Sequence, residues 1–106
     1  MNIEGTRELL QEIDTYVEDL FVPQDEILEA ALRDSRRAGL PEINVSPTQG
    51  RLLQMLTALA GARRILEIGT LGGYSTIHFA RALHDYGVLI SLEIDEHHSG
   101  VARNNI

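Results

Sequence analysis

Apolar residues recur at helical spacing through the first third of the chain. Between residues 3 and 21 they stand three and four positions apart with acids on the other side, which predicts an amphipathic helix. The pattern breaks at Pro23, and a second helix is predicted from Asp25 to Arg37. We expect the two helices to form a hairpin. Core packing is the expected role of the apolar face of the first helix, with a partner surface as the alternative.

The pattern changes after residue 43. Ser46 suits a helix cap and Pro47 the first helical position, so a third helix is predicted to run to about Ala60. Two short apolar runs follow, RRILEIG and VLISLEI, and the segment between them is helical from Tyr74 to about His84. A last helix is predicted to begin near Glu96. The order strand, helix, strand, helix predicts an α/β fold built on a right-handed βαβ unit.

Both predicted strands are almost continuously apolar, which is typical of parallel strands covered on both faces. Two strands make too small a sheet to stand alone, and each would offer an unpaired edge. We therefore expect either a piece of a chain about twice as long or a second copy that supplies the missing neighbours. The ending RNNI, partway through a predicted helix, favours a truncated chain.

Composition narrows the classes of function. The formal net charge is -7 and all nine basic residues are arginines, which disfavours a nucleic-acid partner. The absence of cysteine excludes a disulfide framework and a thiolate metal site, and fits a cytoplasmic location. Neither a signal peptide nor an apolar run long enough to span a membrane is recognisable, so we expect a soluble protein without a membrane partner.

The candidate chemistry lies in LEIGTLGGYST, residues 66 to 76, where a buried strand turns into a helix. Ligands of α/β folds bind at such turns, outside the carboxyl ends of the strands. Glycines there let a ligand approach the main chain, and the N-terminus of the following helix suits an anion. The loop reads G-x-x-G-G rather than G-x-G-x-x-G, so the dinucleotide fingerprint is not met.

Two acidic positions suggest a different ligand. Glu67 precedes the first glycine, where a carboxylate would repel a phosphate and attract an ammonium group. A carboxylate of the same ligand could lie near Ser75, as expected for S-adenosylmethionine. Glu93 stands 24 residues after Gly69, close to the distance at which a strand-end acid binds ribose hydroxyls, and Asp95 is the alternative.

The motifs together identify a family resemblance. INVSPTQGRLLQML, RRILEIGTLGGYSTIHFARAL and VLISLEIDEHHSGVARNNI are similar to the caffeoyl-CoA and catechol O-methyltransferase family over residues 43 to 106. The resemblance implies an incomplete Rossmann-like methyltransferase fold, with two parallel strands preceded by N-terminal helices. The implied division is an N-terminal helical hairpin at 1–42 and the first half of the S-adenosylmethionine-binding domain at 43–106.

The resemblance also implies roles for particular residues. The resemblance implies that Glu93 binds the ribose of the cofactor. The residues expected at the methionine end are Glu67, Gly69, Gly73 and Ser75, together with the segment of Val45 and Ser46. The full predicted set of cofactor-binding residues is Val45, Ser46, Glu67, Gly69, Thr70, Gly73, Tyr74, Ser75 and Glu93. Tyr74 could also serve only to pack the turn.

The family's divalent-metal ligands and its lysine base come from later strands that this chain does not contain. Catalytic and metal-binding residues are therefore predicted to be absent here, with magnesium expected only in the complete enzyme. The implied reaction is methyl transfer to a hydroxyl of a small, catechol-like acceptor by a homo-oligomer, and the chain alone is expected to be inactive. The alternatives are a non-catalytic module that self-associates through open sheet edges and, less favoured, a nucleotide-binding oxidoreductase.

Histidines offer a weaker signal. His97 and His98 are adjacent, so their side chains would diverge on a helix, and no third metal ligand is near. Solvated surface is the predicted role of both. His78, one helical turn after Tyr74, is predicted to be a packed or half-exposed histidine rather than a general base.

Overall fold

A computed structural model describes residues 2–23 and 25–106, which form five helices and two strands. In chain order they are α1 (Ile3–Phe21), α2 (Glu26–Arg37), α3 (Pro47–Ala60), β1 (Arg64–Ile68), α4 (Tyr74–Ala82), β2 (Val88–Leu92) and α5 (Glu96–Asn105). This is the predicted order of elements. Two boundaries differ: α4 ends at Ala82 rather than near His84, since Leu83 is already extended, and β2 ends before Glu93.

Local signals in the sequence set the helix ends. Ser46 and Gln49 form a capping box at the start of α3, in which the Gln49 side chain accepts from the Ser46 N–H at 2.9 Å. Gly61 ends the same helix in the left-handed region, with φ +58°. Asp25 caps α2 by accepting from the Leu28 N–H at 3.0 Å.

The two strands pair in parallel, with Arg64 opposite Val88 and Ile68 opposite Leu92. Side chains alternate between the two faces of this sheet. One face carries Glu67 and Ser91 and lies on the side of α4, whose hydroxyls bind Glu67. Throughout, we call it the covered face.

The opposite face of the sheet, the open face, is solvent-exposed and, apart from Arg64 at one end, apolar. Its apolar side chains come from both strands: Leu66, Ile68, Val88, Ile90 and Leu92. The exposed fraction of Ile68 is 82%. The prediction that the strands are covered on both faces is therefore wrong for the residues described, because no element among them reaches this side.

Helix α1 buries none of its residues, although its apolar side chains lie at core-like spacing. It lies against α3, whereas α2 packs against α4 and α5. The principal contacts of α1 and α2 are thus with later elements, and the N-terminal helical hairpin at 1–42 stays a prediction. The expected core role of the α1 face is wrong, because none of its residues is buried. The division into 1–42 and 43–106 stays a prediction.

The core lies between α2 and α4. Leu28 and Ala31 from α2 pack with Tyr74 and Ile77 from α4, and Val45 packs against this cluster. The first turn of α4 is thereby fixed on α2, directly beside the glycine-rich turn. Across the described residues, no helix combines the length and the apolar character needed to cross a membrane.

Candidate functional site

The turn from β1 to α4 is built on unusual backbone conformations. Gly69 has φ +94° and Gly73 has φ +89°, a region that side chains disfavour. A Cβ on Gly69 would meet nothing within 4 Å, so this backbone faces open space. A Cβ on Gly73 would lie 3.1 Å from Ile106, so Gly73 instead permits close packing of α5. The Gly69 N–H donates to the Leu92 carbonyl at 2.8 Å, which joins the turn to the end of β2.

Helices α2 and α5 hold the middle of this turn. A Cβ on Gly72 would overlap the Ser35 hydroxyl, so only glycine lets the turn approach α2 this closely. The Asn105 side-chain amide donates to the Gly72 carbonyl at 2.9 Å and to the Ala31 carbonyl at 3.3 Å. One side chain near the end of α5 therefore connects the turn with α2.

Glu67 lies on the covered face beneath the turn, with an exposed fraction of 8%. Its carboxylate accepts from the hydroxyls of Ser75 at 2.6 Å, Thr76 at 2.5 Å and Ser91 at 2.6 Å. The Thr70 hydroxyl lies 2.6 Å from that of Ser91 and extends the network to the turn. Because Ser75 donates its proton to Glu67, its oxygen presents lone pairs to any ligand above it.

Glu93 follows β2 and is held by two backbone donors. Its Oε1 accepts from the Leu71 N–H at 2.8 Å and its Oε2 from the Asp95 N–H at 3.1 Å. These bonds, first that from Asp95 and then that from Leu71, lower the pKa of Glu93 below its ordinary value. Its carboxylate is therefore ionised near neutral pH and keeps lone pairs for further donors.

Asp95, the alternative acid, caps α5. Its Oδ1 accepts from the His98 N–H at 3.0 Å, and this bond lowers the pKa of Asp95. One of its oxygens is thus already bound to its own helix. The two Glu93 oxygens accept hydrogen bonds from the turn and from the start of α5. The Glu93 carboxylate is therefore oriented more firmly than that of Asp95.

A cavity of about 480 Å³ brings most of the predicted residues together. Six of the nine line it: Val45, Gly69, Thr70, Tyr74, Ser75 and Glu93. Ser46 lines a neighbouring cavity of about 550 Å³, which shares Tyr74 with the first. Glu67 and Gly73 are outside the lining of both, because Glu67 lies below the turn and Gly73 faces α5.

Tyr74 packs in the core and borders both cavities. Burial raises the pKa of its hydroxyl to about 12, so the group is neutral at physiological pH. Its ring lies edge-on to that of His78, with centroids 5.1 Å apart. The packing role proposed for Tyr74 from the sequence is thus present, and its position leaves a ligand contact open.

His98 is the functional candidate that sequence reasoning missed. It was predicted to be solvated surface, but its side chain is only 22% exposed and lines the cavity together with Glu93 and Asp95. The prediction is corrected because the cap at Asp95 turns the residue three positions later back toward it. The spacing of three residues between Asp95 and His98 could have indicated this position from the sequence. Backbone and apolar lining from Ile43, Asn44, Leu71, Gly72 and Ile94 was also missed.

The other two histidines of interest have structural surroundings. His78 is 1% exposed, its Nδ1 lies 3.0 Å from Gln54 Oε1, and burial lowers its pKa, so the prediction of a packed histidine is confirmed. His97 Nε2 lies 2.8 Å from the Ala38 carbonyl oxygen, so the solvated-surface prediction holds only in part. In residues 2–23 and 25–106, no group of three or more potential ligand side chains could hold a metal ion.

Residues 18–106 match the family model described as O-methyltransferase. Over 99 residues the chain is 48% identical to a catechol O-methyltransferase of Niastella koreensis, covering 93% of this chain and 45% of the relative. It is 44% identical over 95 residues to a catechol O-methyltransferase of Mycobacterium tuberculosis, covering 90% of this chain and 43% of that protein. The chain thus spans less than half the length of these relatives.

A solved structure shows the same arrangement of elements. The O-methyltransferase from Bacillus cereus in complex with SAH superposes with a TM-score of 0.87 at 51% identity, covering 89% of this chain and 43% of that one. The family resemblance and the incomplete Rossmann-like fold predicted from the motifs are both confirmed.

Proposed function

This chain belongs to the O-methyltransferase family, and we propose that it forms the S-adenosylmethionine-binding half of an enzyme that methylates a hydroxyl group of a small acceptor. One observation carries the proposal. The open backbone of Gly69 and the oriented carboxylate of Glu93 line the same cavity, at the carboxyl ends of the two parallel strands. This is the position at which α/β folds bind nucleotide-like ligands.

The cavity suits such a ligand. Its volume of about 480 Å³ lies within the range of small-molecule sites. A side chain at Gly69 would occupy space that is open in this structure, so the turn can accept a group against its main chain. Glu93 supplies acceptors for a ribose diol, since each of its oxygens has bound only one donor described here.

S-adenosylmethionine, when bound, supplies an electrophilic methyl group on a sulfonium sulfur. We propose that Glu93 holds the ribose and that Gly69 and Ser75 hold the methionine end, with Val45, Thr70 and Tyr74 completing the wall. Fixing the cofactor in this way contributes to catalysis by orientation, because in-line transfer requires alignment of the reacting atoms.

Glu67 takes part in this proposal through Ser75. The proton of the Ser75 hydroxyl points to Glu67, so its oxygen accepts hydrogen bonds and suits the ammonium group of the methionine end. The carboxylate of that end is left to the N-terminus of α4, whose N-cap residue Gly73 provides no side-chain hydrogen bond. Ser46 approaches from the neighbouring cavity.

The acceptor and the metal belong to the complete enzyme. A divalent ion there would orient and acidify the acceptor hydroxyl. None of the proposed cofactor contacts needs such an ion. We expect no methyl transfer to catechol with magnesium by the 106-residue chain. Turnover by this chain would show that the required catalytic groups lie within it.

Binding of S-adenosylhomocysteine tests the proposal directly. NMR-detected titration of the chain, which registers weak affinities, is expected to show saturable shifts at residues 69–75 and 93–95, and NAD is expected to cause none. Glu93→Ala should weaken binding about tenfold or more, because hydrogen bonds to a charged group are lost. Glu96→Ala is the matched control, since Glu96 is an exposed acid of the next helix outside this cavity. Equal effects of the two substitutions would contradict the proposed ribose site.

A second candidate function is self-association. The observation that favours it is the open face, five apolar side chains exposed side by side on the sheet. Light scattering between 10 and 500 μM, roughly the range in which weak interfaces appear, distinguishes the two. A monomer at all concentrations excludes this alternative and leaves the cofactor-binding proposal unaffected.

A further inference from the structure

His98 lies at the ribose end of the proposed cofactor cavity. Its Nδ1 is 3.9 Å from Glu93 Oε2, and its Nε2 is 3.7 Å from Asp95 Oδ2. The imidazole therefore stands between two carboxylates, slightly too far from each for a direct hydrogen bond.

The two carboxylates remain charged over the range in which histidine titrates. Backbone donors lower the pKa of both Glu93 and Asp95 below their ordinary values. Histidine is the side chain whose charge ordinarily changes between pH 5 and 8. Within this group of three, His98 is the only side chain of a type that changes charge near neutral pH.

We propose that His98 is a positioning residue that makes cofactor affinity depend on pH, by competing with the ribose hydroxyls for the Glu93 carboxylate. As an imidazolium it draws toward Glu93 Oε2 and Asp95 Oδ2 and occupies acceptor positions that the ribose needs. As a neutral imidazole it releases Glu93 and lines the wall. This inference rests on the proposed function, because it assigns a further role within the same cavity.

The other groups around the cavity do not provide an alternative source of pH dependence. The other described cavity residues, from 43–45, 69–72, 74–75 and 94, include no side chain that changes charge in this range. On the same helix, His97 lies with its ring 6.4 Å away and bonds to Ala38. From α2, Asp34 and Arg37 face α5 at a separate groove with Val101, about one turn further along.

The test compares the affinity of the chain for S-adenosylhomocysteine at pH 5.5 and pH 8 with that of His98→Gln. The unsubstituted chain is expected to bind about three- to fivefold more weakly at pH 5.5, the size of a partly exposed ion pair. His98→Gln should lose the difference between the two pH values, because glutamine carries no charge at either pH. His97→Gln is the matched control and should keep that difference.

Adenosine and 2′,3′-dideoxyadenosine separate the ribose from the methionine end. The pH difference should persist with adenosine, which carries no zwitterion, and vanish with the dideoxy compound, which lacks the competing hydroxyls. A pH difference that survives in His98→Gln, or an equal loss of affinity at both pH values, overturns the role of His98 while the proposed function stands. Absence of S-adenosylhomocysteine binding at both pH values overturns the proposed function and this inference together.

Discussion

The two faces of the sheet reverse the usual distribution of polar and apolar groups. On the covered face, a charged residue, Glu67, is buried and satisfied by three hydroxyls. On the open face, five aliphatic side chains contact solvent. Burying a charge is costly unless the charge is fully hydrogen-bonded. An aliphatic side chain left in solvent only forgoes the free energy that its burial would contribute.

The side chains of the covered face find their partners within this chain, whereas those of the open face would need another surface to bury them. The Glu67 network connects β1, β2, the turn and α4 with atoms that are all present. The open face has a shape and composition suited to burial but has no cover among the described residues. The proposed cofactor site is thus built on the self-sufficient side of the sheet.

The largest expected effect comes from removing the centre of the covered face. Glu67→Ala would leave the hydroxyls of Ser75, Thr76 and Ser91 without their acceptor, so we expect unfolding to become easier by about 3–5 kcal/mol. Urea denaturation followed by circular dichroism measures this change. Leu66→Ala, the adjacent residue on the open face, is the control and should cost less than about 1 kcal/mol. Similar losses for both would remove the distinction between the faces.

A smaller loss is expected where α2 and α4 meet beside the core. Asp25 caps α2 and forms an ion pair with Arg81 of α4. Asp25→Ala removes both and should cost about 1–2 kcal/mol, mainly from the cap. Asp25→Asn retains the cap and should lose less than half as much. If the two variants were equally destabilised, the ion pair rather than the cap would be the main contribution.

The pH dependence of stability tests the buried surroundings of His78. Burial lowers the pKa of His78 below 6.5, so the unfolded chain binds a proton that the folded chain does not. Stability should be complete above about pH 6.5 and fall as the pH decreases from 6.5 toward the lowered pKa. His78→Phe should reduce this dependence, measured by denaturation at a series of pH values. An unchanged slope would mean that His78 is not the source of the pH dependence.

The smallest effect on folding is expected on the open face. Ile68 is 82% exposed, and Ile68→Thr should change the free energy of unfolding by no more than about 0.5 kcal/mol. If copies of the chain associate through this face, the same substitution should weaken that association in light scattering. A loss of folding stability above 1 kcal/mol, roughly twice the surface norm, would mean that Ile68 is covered in solution.

Local sequence determined much of the fold. The helical periodicities, the Ser46 cap, Gly61 and the two apolar runs each act over a few residues, so the order of elements and most of their ends followed from them. The glycine turn and Glu93 were recognisable for the same reason, since short motifs carry the backbone conformations and charges that the turn requires.

Contacts between distant segments decided the rest. The positions of Glu67 beneath the turn and His98 on the cavity wall, and the connection from Asn105 to Gly72, depend on how α4 and α5 pack, which periodicity does not encode. The exposure of α1 and of the open face likewise depends on which surfaces have a partner. A hydrophobic pattern specifies which side of an element favours burial, but only the tertiary arrangement determines whether another surface covers it.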